Sequence, residues 1–129
     1  MTALDLCAAW PVSLVAGAVM QGGSVVSTCG DADAKFRLAS LSKPMTTWAT
    51  LVAVEEGIVD LDAVSDEQFA GQPGCTLRHL LSHAGGYGFM GTDPIAVPER
   101  TRTYSNGGVE LAAAWVESHA AIPFVEYLS

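Results

Sequence analysis

The sequence predicts an α+β chain in which an N-terminal β-hairpin leads into a helical region. Two short apolar runs, residues 14–20 and 24–28, flank a Gly22-Gly23 pair, the composition of a tight hairpin turn. From about Ser40 to Glu56, apolar side chains recur at helical spacing, with Met45, Trp48, Leu51 and Val52 on one face. The order after that is short helix, then helix, with no further strand pattern.

Composition allows a real core and excludes several partners. The 129 residues are 50% hydrophobic with mean hydropathy +0.31, close to the usual single-domain size. One domain over 1–129 is expected, with strands in 1–39 and the helical region in 40–129. A net charge of −8 and a pI near 4.5 argue against nucleic acid or an anionic membrane, which both attract fields of Lys and Arg. Residues 7–20 are apolar enough to suggest a signal sequence, but the first basic residue is Lys35 and Met1 to Leu6 offers only Asp5. Pro11 and Gly17 also interrupt the run, which is too short to span a bilayer. It is expected to lead into a buried strand, and the chain to be cytoplasmic, or periplasmic or secreted if an N-terminal signal was lost. Cys7, Cys29 and Cys75 are an odd, widely spaced set, read as buried free thiols rather than a disulfide framework.

Each later element has its own local signal. Gly30-Asp31-Ala32-Asp33 breaks the sheet pattern, and Gly57 stands where a helix C-cap belongs. Residues 58–74 are polar, acidic and loop-rich. Thr76 suits the N-cap of a short helix over 77–83, which Gly85-Gly86 would end. A loop over 89–103, with Pro94 and Pro98, delivers Tyr104-Ser105-Asn106. An Ala-rich helix over about 109–118 follows, and Pro123 opens a last helical piece. A hairpin alone leaves both edges open, so it needs more strands or a covering helix.

Chemistry concentrates at two places. Ser40-Leu41-Ser42-Lys43 is an S-x-x-K sequence at a helix start, where residues i and i+3 share a face and a hydroxyl can meet an amine. A serine hydroxyl is a weak nucleophile until an adjacent base takes its proton. A lysine serves as that base only if burial or nearby positive charge lowers its pKa. With ten Ser and two Lys, chance alone gives such a spacing in roughly one chain in seven, and a capping serine beside a solvated lysine is the plain alternative. Tyr104-Ser105-Asn106 is rarer, because Asn106 is the only asparagine and a chance Tyr two residues before it is on the order of 2%. A phenol near an ammonium gives and takes a proton, and an amide orients a carbonyl or holds a lysine. The plain alternative is a packed Tyr104 and an N-capping Asn106.

From about Ala16 onward the chain resembles the serine β-lactamase-like superfamily, especially class C β-lactamases, D-alanyl-D-alanine carboxypeptidases and family VIII esterases. Phe36 through Lys43 is similar to its F-x-x-x-S-x-x-K block, and Gly57-Ile58-Val59-Asp60-Leu61-Asp62 to the exit from the following helix. Thr76-Leu77-Arg78-His79-Leu80-Leu81-Ser82-His83-Ala84-Gly85-Gly86 resembles the T-I-R-H-L-L-T-H-T-S-G segment. Pro98 through Asn106 resembles the P-G-x-x-x-x-Y-S-N block, with Glu99 in place of its Gly. The resemblance implies a β-lactamase/transpeptidase-like fold and a serine hydrolase acting on a β-lactam, a D-Ala-D-Ala peptide or a small ester, with no cofactor. It implies acylation of Ser40, Lys43 as general base, Tyr104 as proton shuttle to the leaving group, and Asn106 positioning substrate and Lys43. The Ser40 N–H would be one oxyanion-hole donor, a contribution of about 3 kcal/mol. Tyr104-x-Asn106 in place of S-D-N points away from class A β-lactamases.

The family's third motif, K-T-G or H-x-G on a core strand, has no counterpart after Tyr104. The C-terminal strands of the sheet are therefore expected to be missing, and the chain to be a truncated member with little turnover alone. A C-terminal segment or second chain would then complete the sheet. A competing reading is a non-catalytic binding or interaction module on the same fold. Cys75, His79 and His83 stand four apart like zinc ligands, yet no Glu follows His79 as in H-E-x-x-H, and the resemblance implies helix packing and capping for both histidines, so no metal is expected. Glu55, Glu56, Asp60, Asp62, Asp66 and Glu67 lack EF-hand spacing and read as solvated surface.

Overall fold

Gly22 and Gly23 make the first turn as their composition demands, both with positive φ, 57° and 81°. They join β1 (Ala16–Gln21) to β2 (Ser24–Gly30) in an antiparallel ladder running from Ala16 opposite Gly30 to Gln21 opposite Ser24, with a register irregularity between Val19 and Met20. The computed structural model describes residues 2–64 and 72–129. It divides the chain into two compact units, Met1–Leu38 and Ala39–Ser129. No described helix is long and apolar enough to cross a membrane.

In the first unit a 3-10 helix, Ala3–Ala9, precedes the hairpin, where a buried strand was expected from the apolar run. Thr2 N donates to Asp5 Oδ2 and Asp5 N to the Thr2 carbonyl, which closes the first turn. The strands are not buried either. Val19, Met20, Val25 and Val26 are all exposed, because β1 and β2 pair only with each other among the described residues and a two-stranded ribbon leaves both faces open. Cys7 is buried, Cys29 half-buried, and both are free thiols.

The second unit holds the main core. Helix α1 (Ser42–Glu55) is followed by α2 (Leu77–Leu81), α3 (Asn106–Ala120) and α4 (Phe124–Tyr127). Ala53, Val59, Cys75, Leu77, Leu80, Tyr87, Ala112, Trp115 and Val116 form one buried cluster across them. The predicted apolar face of α1 is not the one that faces this core. Ala49, Thr50 and Ala53 are buried instead, while Met45, Leu51 and Trp48 are exposed, Trp48 at 75%. Small residues win because they let the backbones of α1 and α3 approach closely, which large side chains on that face would prevent. Thr50 satisfies its buried hydroxyl by donating to the Thr46 carbonyl at 2.9 Å.

Helix ends follow the sequence signals closely, with two corrections. Gly57, at φ 73°, ends α1 as expected: its N–H donates to Val54 O and that of Ile58 to Ala53 O, the paired bonds of a Schellman motif. Thr76 caps α2 by accepting from His79 N at 3.3 Å. The helix stops at Leu81, however, and His83 takes the left-handed turn at φ 62° where Gly85-Gly86 was expected to end it. Ser105 is the cap of α3, accepting from Gly108 N at 2.9 Å, so Asn106 is the first helical residue rather than the cap. Arg78 forks onto Asp62 (2.6 and 2.8 Å) and ties α2 to the preceding loop. Asp66 and Glu67 lie outside the described residues.

Two buried or bonded acids set an alkaline limit on stability. Burial pushes the Cys75 thiol up to about 11, and the Glu56 carboxylate, which accepts the Tyr127 hydroxyl at 2.5 Å, pushes that phenol up to about 12. Both native groups hold their protons longer than in the unfolded chain, so the stability they contribute is full below about pH 9 and is lost as pH rises toward 11–12. Thermal melts followed by circular dichroism should show Tm falling over that interval. Tyr127→Phe should remove the upper part of the fall.

Candidate active site

Ser40 lies in a single 3-10 turn, Ala39–Leu41, that runs directly into α1. Ala39 adopts a left-handed φ of 47°, an uncommon conformation for a residue with a Cβ, and its carbonyl accepts the Ser42 hydroxyl at 2.7 Å. One turn later Lys43 reaches back, and its Nζ donates to Ser40 Oγ at 3.2 Å. The i to i+3 spacing thus does what its helical placement predicts.

Tyr104 comes from the other end of the chain, on a loop held by backbone bonds. Ile95 N and Ala96 N donate to Gly86 O, Glu99 N to Ala84 O, and Thr103 N to His83 O. Glu99 is itself left-handed (φ 65°) at the position where the resembled block carries Gly, and a side-chain bond holds it there. His79 Nδ1 accepts from Thr76 N at 3.2 Å, which leaves the proton on Nε2 to be donated to Glu99 Oε1 at 2.9 Å. The Tyr104 ring then stands with its centroid 4.9 Å from Lys43 Nζ, 4.7 Å from the His83 ring and 6.1 Å from Phe89. Ser40, Lys43, His83 and Tyr104 line one open cavity of about 430 Å³, floored by Trp48 and Leu81.

The electrostatics favour a proton-handling phenol. The Tyr104 pKa lies below the ordinary phenol value, chiefly through its approach to the Ser40 hydroxyl, then to the Lys43 ammonium. No full hydrogen bond joins Tyr104 to either group among the described residues, so the effect is one of proximity in an open pocket. The pocket also collects two helix N-termini. Lys43 opens α1 and Tyr104 precedes α3, while Val54 and Ile58 share a second cavity with Trp115 and His119 near the opposite ends. Helices α1 and α3 therefore run parallel, and both point their positive dipole ends at the site.

Three of the four expected site residues are brought together and one is not. Asn106 Nδ2 donates to Met90 Sδ at 3.1 Å, and its N–H to Phe89 O; neither Lys43 nor Ser40 is its partner among the described residues. Helix packing and capping, expected of both histidines, does not describe His83. That reading fits His79, whereas His83 accepts from Ser105 N through Nδ1 at 3.2 Å and faces Tyr104. Only its backbone turn reveals this, and no residue type in the sequence announces a left-handed histidine. Cys75, His79 and His83 engage three separate partners, the Thr76 carbonyl, Glu99 and Ser105.

Helices and hairpin in this order, with a serine and lysine one turn apart beneath a tyrosine, define the serine β-lactamase/transpeptidase class, and the chain belongs to it: the family model described as Beta-lactamase matches residues 13–129. Among solved structures it is similar to a β-lactamase from Mycobacterium bovis, with 40% identity and a TM-score of 0.76 over 98% of this chain and 45% of that one. Among curated proteins it is similar to penicillin-binding protein 4* of Bacillus subtilis strain 168, 30% identical over 72% of this chain and 27% of that protein. The chain thus spans less than half the length of either relative. The two-stranded sheet and its helices are a part of the fold those proteins carry.

The two glycines after Asn106 provide a check on how the site is seated. A Cβ at Gly107 would drive into the Gly91 carbonyl, on the same loop that carries Met90, whereas at Gly108 it would meet only ordinary contacts at 3.4 Å and beyond. Gly107→Ala should destabilise by at least about 2 kcal/mol in urea unfolding through overpacking. Gly108→Ala should be neutral or stabilising by up to about 0.5 kcal/mol, since Ala loses less entropy in a helix.

Proposed function

We propose that the chain carries the nucleophilic part of an acyl-enzyme hydrolase. Ser40 is the nucleophile and Lys43 the group that takes its proton. The observation that carries this reading is the 3.2 Å approach of Lys43 Nζ to Ser40 Oγ with the Tyr104 ring over the same ammonium. As Ser40 Oγ attacks a carbonyl carbon, its proton passes to Lys43 acting as a neutral amine, which becomes the ammonium, and the carbonyl becomes an oxyanion, which the two helix N-termini favour. Collapse of that intermediate expels the leaving group, to which Tyr104 delivers the proton. Its lowered pKa makes the phenol a readier proton donor than an ordinary tyrosine. Water then attacks the acyl-Ser40 ester by the reverse set of transfers.

Asn106 joins the site by leaving the weak Met90 sulfur acceptor, so that its Nδ2 donates to a substrate carbonyl or its Oδ1 accepts from Lys43. The substrate is an activated or strained acyl compound: a β-lactam, a D-Ala-D-Ala peptide or a small ester. The names of the two relatives, a β-lactamase and a penicillin-binding protein, support the first two. The open, largely apolar cavity beside Ser40 admits all three.

A fluorescent penicillin and a fluorophosphonate should each label the chain at one residue, located at Ser40 by peptide mass spectrometry. Ser40→Ala should abolish the label, and Lys43→Ala should slow it by about 100-fold or more. Unchanged labelling of Ser40→Ala would overturn the assignment.

A further inference from the structure

We propose that His83 is the positioning residue that holds Tyr104 over Lys43, and that it does so as a neutral imidazole whose Nδ1 is unprotonated. This rests on the reading of Tyr104 as the proton carrier, and it adds a fourth residue to that group. His83 fastens the chain on both sides of the tyrosine. Its carbonyl accepts from Thr103 N at 2.9 Å, and its Nδ1 accepts from Ser105 N at 3.2 Å. Its ring meets the Tyr104 ring between those two anchors, at 4.7 Å and an interplanar angle of 42°. One residue therefore fixes the backbone before Tyr104, the backbone after it, and the ring itself.

The left-handed turn at His83 is what makes this possible. Had α2 continued through residue 83, the side chain would follow the helix; the φ of 62° breaks that course. A non-glycine residue in this conformation is strained, so it persists only where the surroundings enforce it. The bonds from Thr103 and Ser105 are such surroundings.

The tautomer follows from the donor. Ser105 N–H can only donate, so Nδ1 must present its lone pair and the neutral ring carries its proton on Nε2. Protonation would set two N–H donors face to face and release Ser105. The environment opposes this: burial, then the Arg102 guanidinium, then the Lys43 ammonium hold the His83 pKa below its ordinary value. Those two cations and the Tyr104 phenol are the titratable groups facing the ring from the neighbouring elements.

The test follows the three tyrosines by 13Cζ NMR through a pH titration, with Tyr104→Phe assigning its signal. In the wild-type chain Tyr104 titrates below the ordinary value, Tyr87 above it and Tyr127 near 12, so the last two report folding and the first reports position. His83→Gln moves the side-chain acceptor away from Ser105 and should return Tyr104 toward about 10 while slowing Ser40 labelling about 10- to 100-fold. His83→Asn places a carbonyl oxygen close to the Nδ1 position, tolerates the left-handed turn, and should restore most of both. Equal Tyr104 titration in wild type and His83→Gln, with Tyr87 and Tyr127 unmoved, would overturn the proposal. So would 15N spectra of the wild-type chain that place the His83 proton on Nδ1, a measurement that no variant's folding can compromise. Failure of the wild-type chain to label, with the Tyr104 shift present in His83→Gln, would instead count against the hydrolase reading alone.

Discussion

The parallel packing of α1 on α3 is the constraint from which the site follows. Two parallel helix dipoles repel, so electrostatics would set these helices antiparallel. Apolar burial decides otherwise. Ala49 and Ala53 on α1 and Ala112, Trp115 and Val116 on α3 are buried, and the small side chains let the helices approach closely. Interactions with a helix dipole amount to about 0.3–1 kcal/mol, whereas burial contributes about 0.8 kcal/mol for each alanine methyl and about 1.5–3 kcal/mol for a side chain of the size of Val116. The core therefore imposes an arrangement that concentrates positive potential at one end. That end is where Ser40, Lys43 and Tyr104 meet.

Three of the four left-handed non-glycine residues among the described residues stand at the same end, the fourth, Ala121, closing α3. Ala39, His83 and Glu99 are left-handed residues with side chains, and they stand, respectively, next to Ser40, against Tyr104 and in the loop that presents Tyr104. A glycine would serve the backbone better at each place. What a side chain adds at two of them is a hydrogen-bond acceptor, His83 Nδ1 for the Ser105 N–H and Glu99 Oε1 for His79 Nε2. The loop is thereby fixed by side chains rather than by regular secondary structure.

Local signals made much of this legible in advance. Gly22-Gly23, Gly57 and Thr76 each set a turn or cap through its own backbone chemistry, and each appears where its residue type requires. The Ser40–Lys43 pairing was equally local, a matter of helical spacing. What could not be read depended on distant partners. The exposed Met45 and Trp48 look like core on a helical wheel, and only the position of α3 reveals that the alanines face inward. The seat of Asn106 on Met90 joins residues 16 apart through an irregular loop, and the part played by His83 depends on a single backbone angle.

The hairpin carries a consequence for how the chain comes apart. Its ladder amides lie in a ribbon with exposed valines on it and no buried cluster of its own comparable to that of residues 39–129. Local opening costs least where few apolar contacts break. In hydrogen-exchange terms, amides in the buried core of residues 39–129 should be protected longer than those of the ribbon. Ser40 lies in residues 39–129, the unit that holds the larger buried cluster.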